Sequence, residues 1–431
     1  MNPSLNLEAR RRRYVLAVLT AVYTLNFLDR GLMALLLQPI KEDLHLSDTQ
    51  LGFLTGIAFA VFYATLGIPV ARLSDRRNRV TITAVAIALW GMTVMACLWV
   101  RSFPQLVAAR VAAAVGEAGC MPPTYSLLGD YFPQPSKRVR AMSLYLLSGP
   151  FAVLISFIGG GWINQLYGWR TAFFVMGLPG LLVAVLVKAT VKDPRSAGAA
   201  VRTGRTDAPK FALVLRTLWK QRSTRHLGVA IILLFTLGYG LAPWYGAFLM
   251  RTHGMTSAEL GIWMGLILGV GGIVGIWGGG YLSARWFADD ERSQMRLSAM
   301  SIIALVPLYL VFLLIPQRSG ALAAFVPLVT IFNVFSAPAF SLMQRLVADD
   351  MRATTLAVIM FLVNLIGMGV GPQLVGILSD AFMPRFGADS LRYAMLFTSV
   401  LALWAAFHFW RVGEAVSQDL ALTSPSVSLS A

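Results

Sequence analysis

The chain has 431 residues, of which 57% are hydrophobic and 13% charged, and its mean hydropathy is +0.68. Soluble domains run about 45–50% apolar and about 25% charged, so this composition excludes an ordinary soluble enzyme. The net charge of +16 and pI near 10.3 do not point to nucleic acid, because the basic residues fall in short clusters between apolar runs, as membrane topology demands.

Apolar runs long enough to cross a bilayer, about 20 residues each, lie at about 14–37, 51–73, 80–100, 104–128, 141–166 and 171–187. A second set lies at about 227–249, 258–283, 297–316, 321–343, 353–378 and 391–410. Twelve such crossings need about 240 apolar residues, which 57% of the chain supplies. The pattern predicts an all-α membrane protein with twelve transmembrane helices. Arg10, Arg11, Arg12 and Arg13 before the first run resemble a signal peptide, but the run is too long and has no small-residue cleavage site. It is read as a retained first helix. The domains expected are a six-helix bundle over 1–187, a cytoplasmic linker over 188–226, a second bundle over 227–411, and a disordered cytoplasmic tail over 412–431. Cys97 and Cys120 both sit in apolar stretches, so neither a disulfide framework nor a thiolate metal site is supported.

Lysine and arginine counts orient the chain. On the N-terminal side of the twelve crossings lie 27 of the 36, on the opposite side seven, and Arg30 and Arg110 fall inside crossings. The positive-inside rule then puts both termini in the cytoplasm. The halves also echo each other. Ala71-Arg72-Leu73-Ser74-Asp75-Arg76 closes the second crossing, as Gly280-Tyr281-Leu282-Ser283-Ala284-Arg285 closes the eighth. Arg140-Ala141 opens the fifth, as Arg352-Ala353 opens the eleventh. Such a 6+6 duplication is a hallmark of major facilitator transporters, whose substrate site lies between the halves near the bilayer midplane.

An ionisable group in hydrocarbon is costly unless it faces a partner or a watery cavity. Four break the apolar runs: Asp29 and Arg30 in the first crossing, Arg110 and Glu117 in the fourth. Seven residues separate Arg110 from Glu117, nearly two turns, so they share a face about 10 Å apart. Asp29 lies about 22 Å up the first crossing, a depth similar to that of Arg110 on the descending fourth. It shares its face with Asn26 and diverges from Arg30 by about 100°. Two readings stand. Asp29 and Glu117 are protonatable carriers with Arg110 as the partner that is released or neutralised, or these groups form static pairs that fix helix packing. Arg30 either joins the cavity or snorkels outward. The second half offers only Tyr239, Trp244, Tyr245, Asn333 and Asn364, as cavity lining or as helix packing. A cavity with one charged wall and one apolar, aromatic wall suits an amphiphile.

Asp75, Arg76 and Arg79, with Arg140, are read as a cytoplasmic latch: Asp75 caps a neighbouring helix N-terminus and pairs with a basic residue, while Asn78 takes a left-handed turn. The competing reading is that the arginines only set topology. Gly149-Pro150 supplies a hinge in the fifth crossing. No Walker A sequence is present, which argues against ATP-driven export. The four histidines lie at or near crossing ends, so neither a metal site nor a histidine relay is expected, and no catalytic triad has a candidate.

Several segments resemble the spinster branch of the major facilitator superfamily. They are Asn26-Phe27-Leu28-Asp29-Arg30, Ser74-Asp75-Arg76-Arg77-Asn78-Arg79, Arg110 with Gly116-Glu117-Ala118, Gly168-Trp169-Arg170 with Gly177-Leu178-Pro179-Gly180, and Asn364-Leu365-Ile366-Gly367 with Gly371-Pro372. The resemblance spans nearly the whole chain and looks bacterial. It implies a proton-coupled transporter of lysophospholipid or sphingosine-phosphate type lipids, with Asp29 and Glu117 as the coupling acids and Arg110 as a cavity arginine. The expected protein has no cofactor beyond the proton gradient, acts as a monomer in a bacterial inner membrane, and has no nucleic-acid partner. Organic-anion symporters share the Asn-aromatic-x-Asp-Arg segment, so a sugar-acid symporter or a multidrug exporter is the alternative. A non-transporting receptor would not need buried acids. Ala71 stands where the loop motif usually has Gly, and Ala284 where the resemblance leads one to expect a second-half Asp.

Overall fold

The computed structural model describes residues 3–197, 211–287, 290–348 and 351–423, and among them every regular element is helical. The first crossing is α1 (Pro3–Leu44). The second is α2 (Asp48–Thr55) with α3 (Ile57–Arg76), broken at Gly56. The third is α4 (Arg79–Ala96) and the fourth α5 (Phe103–Ala118) with α6 (Met121–Tyr131). The fifth combines α7 (Pro135–Leu146), α8 (Ser148–Leu154), a π-helical turn at Ile155–Gly159 and the start of α9 (Gly160–Thr190), whose remainder is the sixth. A short α10 (Phe211–Lys220) precedes α11 (Arg222–His253), α12 (Ser257–Trp286) and α13 (Glu291–Leu314), the seventh to ninth. The tenth is α14 (Arg318–Phe332) with α15 (Ser336–Arg345). The eleventh is α16 (Arg352–Leu362), a π-helical turn at Val363–Met368 and α17 (Gly369–Phe386), and the twelfth α18 (Ser390–Ser399) with α19 (Leu401–Thr423).

Nine stretches of the described residues are long and apolar enough to cross a membrane, and two of them, Pro135–Thr190 and Thr354–Leu420, each hold two crossings. The chain reverses inside them at Gly168 (φ 81°) and at Gly387 (φ 53°), conformations that only glycine adopts without strain. The remaining crossing is the fourth, α5 with α6, in which neither helix is long enough to span alone. The two π-helical turns fall in the fifth and the eleventh crossings, the pair that Arg140-Ala141 and Arg352-Ala353 open. The duplication seen in the residues is therefore also a duplication of helix irregularities.

Local chemistry explains the ends. Ser47 and Gln50 form a capping box at α2, each side chain taking the other's backbone N–H at 3.1 and 2.9 Å, which satisfies donors the helix leaves orphaned. Asn78 caps α4 by accepting from the Thr81 amide at 2.9 Å. Its φ is −64°, so the left-handed turn expected there does not form: the cap needs extended backbone.

The chain divides into two compact units, one of Met1–Thr203 with Tyr245–Gly265, the other of Gly204–Trp244 with Leu266–Ala431. This differs from the expected division, since 245–265 sits with the first unit. In that unit Asp48 is fully buried and takes Lys41 at 2.6 Å and both Nη atoms of Arg251 at 2.7 Å, while Arg251 Nε donates to Gln38 at 2.6 Å. Asn164 adds a bond to Ser257 at 2.6 Å. In the second unit α13 packs on α19 and α14, and α17 on α18, around phenylalanines 235, 332, 335 and 409. The last helix runs to Thr423, so the tail expected from 412 begins as helix. Residues 424–431, and 198–210 of the expected linker, lie outside the described residues.

Candidate functional site

In the first unit, α1 and α5 bring together the four charges that break the apolar runs. Arg110 Nη1 donates to Asp29 Oδ2, both nearly fully buried, as their matched depth predicts. Arg30 Nη2 reaches Glu117 Oε2 at 3.0 Å and its Nε reaches the same oxygen at 3.4 Å. The neighbours Asp29 and Arg30 thus engage residues about 10 Å apart along α5, because the long arginine side chains cover the difference. Arg30 does not snorkel outward. Its side chain is 20% exposed while that of Glu117 is 0%. Asn26 Nδ2 donates to the Glu117 carbonyl at 3.5 Å.

Aromatic rings enclose the pairs. The Arg30 guanidinium lies 4.7 Å from the Phe27 centroid, 5.2 Å from Phe59 and 4.7 Å from Tyr63, and Arg110 lies 5.0 Å from the same Phe59. Such contacts are worth about 0.5–2 kcal/mol each. The sequence reading passed over this cage, although Phe59 and Tyr63 stand at i,i+4 spacing on one face of α3. Glu117 Oε1, Arg110 Nε and Asn26 Oδ1 are buried without a hydrogen-bond partner among the described residues. Buried polar atoms are normally satisfied, so this cluster retains unspent capacity for a proton, water or a polar ligand group. Gly116 fixes where Glu117 stands: a Cβ there would meet the Trp90 backbone nitrogen at 2.8 Å and the Ala86 carbonyl at 3.0 Å. Only glycine lets α5 lie this close to α4.

The latch residues do not gather. Asp75, Arg76 and Arg140 are exposed, and Asp75 neither caps a helix nor forms an ion pair among the described residues; Asn78 takes the cap instead. Arg79 alone is fully buried, holding Asp193 at 2.5 Å, Asp130 at 2.7 Å and the Ser126 hydroxyl at 2.9 Å. Asp130 and Asp193, distant in sequence, carried no local signal. In the fifth crossing the break falls at Leu147, two residues before Gly149, so Gly149 and Pro150 lie in the first turn of α8, and the π-helical turn begins five residues after Pro150.

In the second unit Tyr239 is half-buried against Phe235, with ring centroids 5.5 Å apart. Trp244 is enclosed and donates from Nε1 to the Pro372 carbonyl at 3.2 Å, a contact between α11 and α17 that fits the packing reading rather than the cavity one. Asn333 ends α14 and returns its Nδ2 to the Val329 carbonyl at 2.9 Å. Asn364 lies within the π-helical turn, partly exposed. Ion pairs of this unit include Arg345–Glu291 at 2.5 Å, between the start of α13 and the end of α15, and Arg411–Glu414 at 2.8 Å within α19. His226 and His408 meet with their Nδ1 atoms 2.8 Å apart, a pairing absent from the sequence reading. No group of three or more His, Cys, Asp or Glu side chains is gathered among the described residues as a metal site.

Comparison with known proteins agrees with this architecture. The sequence profile described as Major Facilitator Superfamily matches residues 19–372. The chain is 33% identical over 412 residues to an MFS-type efflux pump of Mycolicibacterium smegmatis, covering 95% of each chain. It is 24% identical to the sphingosine-1-phosphate transporter SPNS2 of Danio rerio, over 90% of this chain and 82% of that one. A crystal structure of a bacterial homologue of the human lysosomal transporter Spinster, inward-facing and unoccupied, superposes with a TM-score of 0.86 at 29% identity, over 95% of this chain and 98% of the other. With twelve duplicated crossings and a charged cluster buried between α1 and α5, the chain belongs to the Major Facilitator Superfamily, as a spinster-like secondary transporter that works by alternating access and is not an enzyme.

Proposed function

We propose that this transporter moves an amphiphilic, lipid-like substrate of lysophospholipid or sphingosine-phosphate type, driven by the proton gradient. The observation that carries the reading is the pair of adjacent bridges, Asp29–Arg110 and Arg30–Glu117, with unsatisfied polar atoms on Arg110, Glu117 and the neighbouring Asn26. Protonating either carboxylate removes the charge that holds its arginine. The freed guanidinium then offers its planar fork to a phosphate, while the aromatic cage around Arg30 accommodates less polar parts of the ligand. The likeness to a sphingosine-1-phosphate transporter supports the substrate class. In this reading the protein acts as a monomer in a bacterial inner membrane with both termini cytoplasmic, supported by the 27-to-7 distribution of basic residues.

The test is flux in proteoliposomes with an imposed pH gradient. Lysophospholipid movement is expected to follow the gradient in the wild type, and Asp29→Asn and Glu117→Gln are each expected to lose that dependence. Undiminished gradient-driven flux in both variants removes the coupling role. A second reading, export of amphiphilic drugs, is favoured by the 33% identity to an efflux pump. Gradient-driven movement of cationic drugs without lysolipid movement would select it.

A further inference from the structure

The first unit carries a basin of about 770 Å³ walled in part by Arg11, Arg12, Lys188 and Lys192. The acidic groups on the same wall are already engaged. Glu8 pairs with Arg12 at 3.4 Å, and Asp130 and Asp193 both hold Arg79. Arg11, Lys188 and Lys192 pair with no carboxylate among the described residues; the Lys188 ammonium donates to the Thr81 hydroxyl at 2.7 Å. The basin therefore presents three uncompensated cations to whatever enters it.

A second cavity, about 420 Å³, shares Lys188 with this basin and runs between α4 and α9 over Thr81, Ala84, Ala88, Ala184 and Ala189. Its rims carry Val85 and Val185, which are 61% and 69% exposed. Apolar side chains this exposed on membrane-crossing helices face lipid rather than water. A cationic basin thus opens, at Lys188, onto an apolar trough along two crossings. That juxtaposition matches one class of molecule, with an anionic head and a hydrocarbon tail attached to it.

We propose that the basin and trough bind an anionic phospholipid, its phosphate among Arg11, Lys188 and Lys192 and one acyl chain in the alanine-lined trough between α4 and α9. This site is separate from the buried bridges of α1 and α5 and stands whichever substrate is carried. Continuity with the bilayer and charge complementarity select a lipid of the leaflet that faces the basic N-terminus, where anionic headgroups draw lysine and arginine.

The experiment measures binding to delipidated full-length protein in an uncharged detergent, using phosphatidylglycerol, phosphatidylcholine and glycerol 3-phosphate as probes in native mass spectrometry. Phosphatidylglycerol is expected to bind more tightly than either of the others. At about 1 kcal/mol per juxtamembrane cation, Lys188→Gln with Lys192→Gln is expected to weaken it by roughly thirtyfold, and Lys188→Arg with Lys192→Arg to retain it. Ala88→Phe, which fills the trough, is expected to weaken phosphatidylglycerol while leaving glycerol 3-phosphate unaffected. Arg72→Gln, an exposed arginine outside both cavities, is expected to change nothing. Equal binding of glycerol 3-phosphate and phosphatidylglycerol overturns the proposal, as does an Arg72→Gln loss matching that of the lysine pair, which would mean diffuse attraction without a site.

Discussion

Asp29 and Glu117 are both buried acids bridged to arginine, yet their partners differ in what each would lose. Arg110 is nearly enclosed, and among the described residues it forms an ion pair only with Asp29. Asp29→Asn and Arg110→Gln are therefore each expected to cost about 3 kcal/mol, the usual result of stranding one member of a buried pair. The double variant should cost less than the sum, with a coupling energy above about 1 kcal/mol in thermal unfolding. Strict additivity would mean the two side chains do not act on each other. Arg30 keeps its ring cage and some solvent when Glu117 is neutralised. Glu117→Gln is accordingly expected to change stability by less than half as much as Asp29→Asn. That asymmetry makes Glu117 the better placed of the two to exchange its proton without unfolding its surroundings.

Helix irregularities and close approaches decide how these charges are presented. α5 can carry Glu117 against α4 only because position 116 has no side chain. Gly116→Ala is expected to push α5 outward at a cost of about 1–3 kcal/mol, read as a lower unfolding midpoint together with a lower transport rate. At the other end of α4, Arg79 ties three segments through Asp130, Ser126 and Asp193. Burial alone would raise the Asp193 carboxyl. Hydrogen bonds from the Arg79 side chain and backbone, and from the Arg195 backbone, outweigh that and hold it below the usual carboxylate range. A folded-state value below the unfolded one of about 3.9 leaves the stabilisation whole above that pH. It is lost as the pH falls through the lower folded-state value. Thermal unfolding between pH 3 and 7 should show Asp193→Asn less stable at neutral pH and flatter on the acid side than the wild type.

For the molecule as a whole, chain order and compactness part company at 245–265, which belongs to the first unit although the chain on either side of it belongs to the second. Asp48, shared between Lys41 and Arg251, fastens that segment. Asp48→Asn leaves two cations facing each other and is expected to cost about 3 kcal/mol. Hydrogen exchange should then rise over 245–265 more than over the rest of α11 and α12; uniform exchange would show that the bridge does not fasten it. Residue order alone was enough for the twelve crossings, the duplication and the similar depth of Asp29 and Arg110, because bilayer thickness and helical rise convert sequence distance directly into length. The same arithmetic could not pair Arg30 with Glu117, gather Phe27, Phe59 and Tyr63 around the guanidinium, or deliver Asp130 and Asp193 to Arg79. It also left Trp244 open between cavity and packing, and assigned Asp75 to a cap. Hydropathy and periodicity are properties of one helix at a time, whereas these contacts depend on how neighbouring helices are rotated and how closely they pack, and that is set by side chains meeting across the bundle.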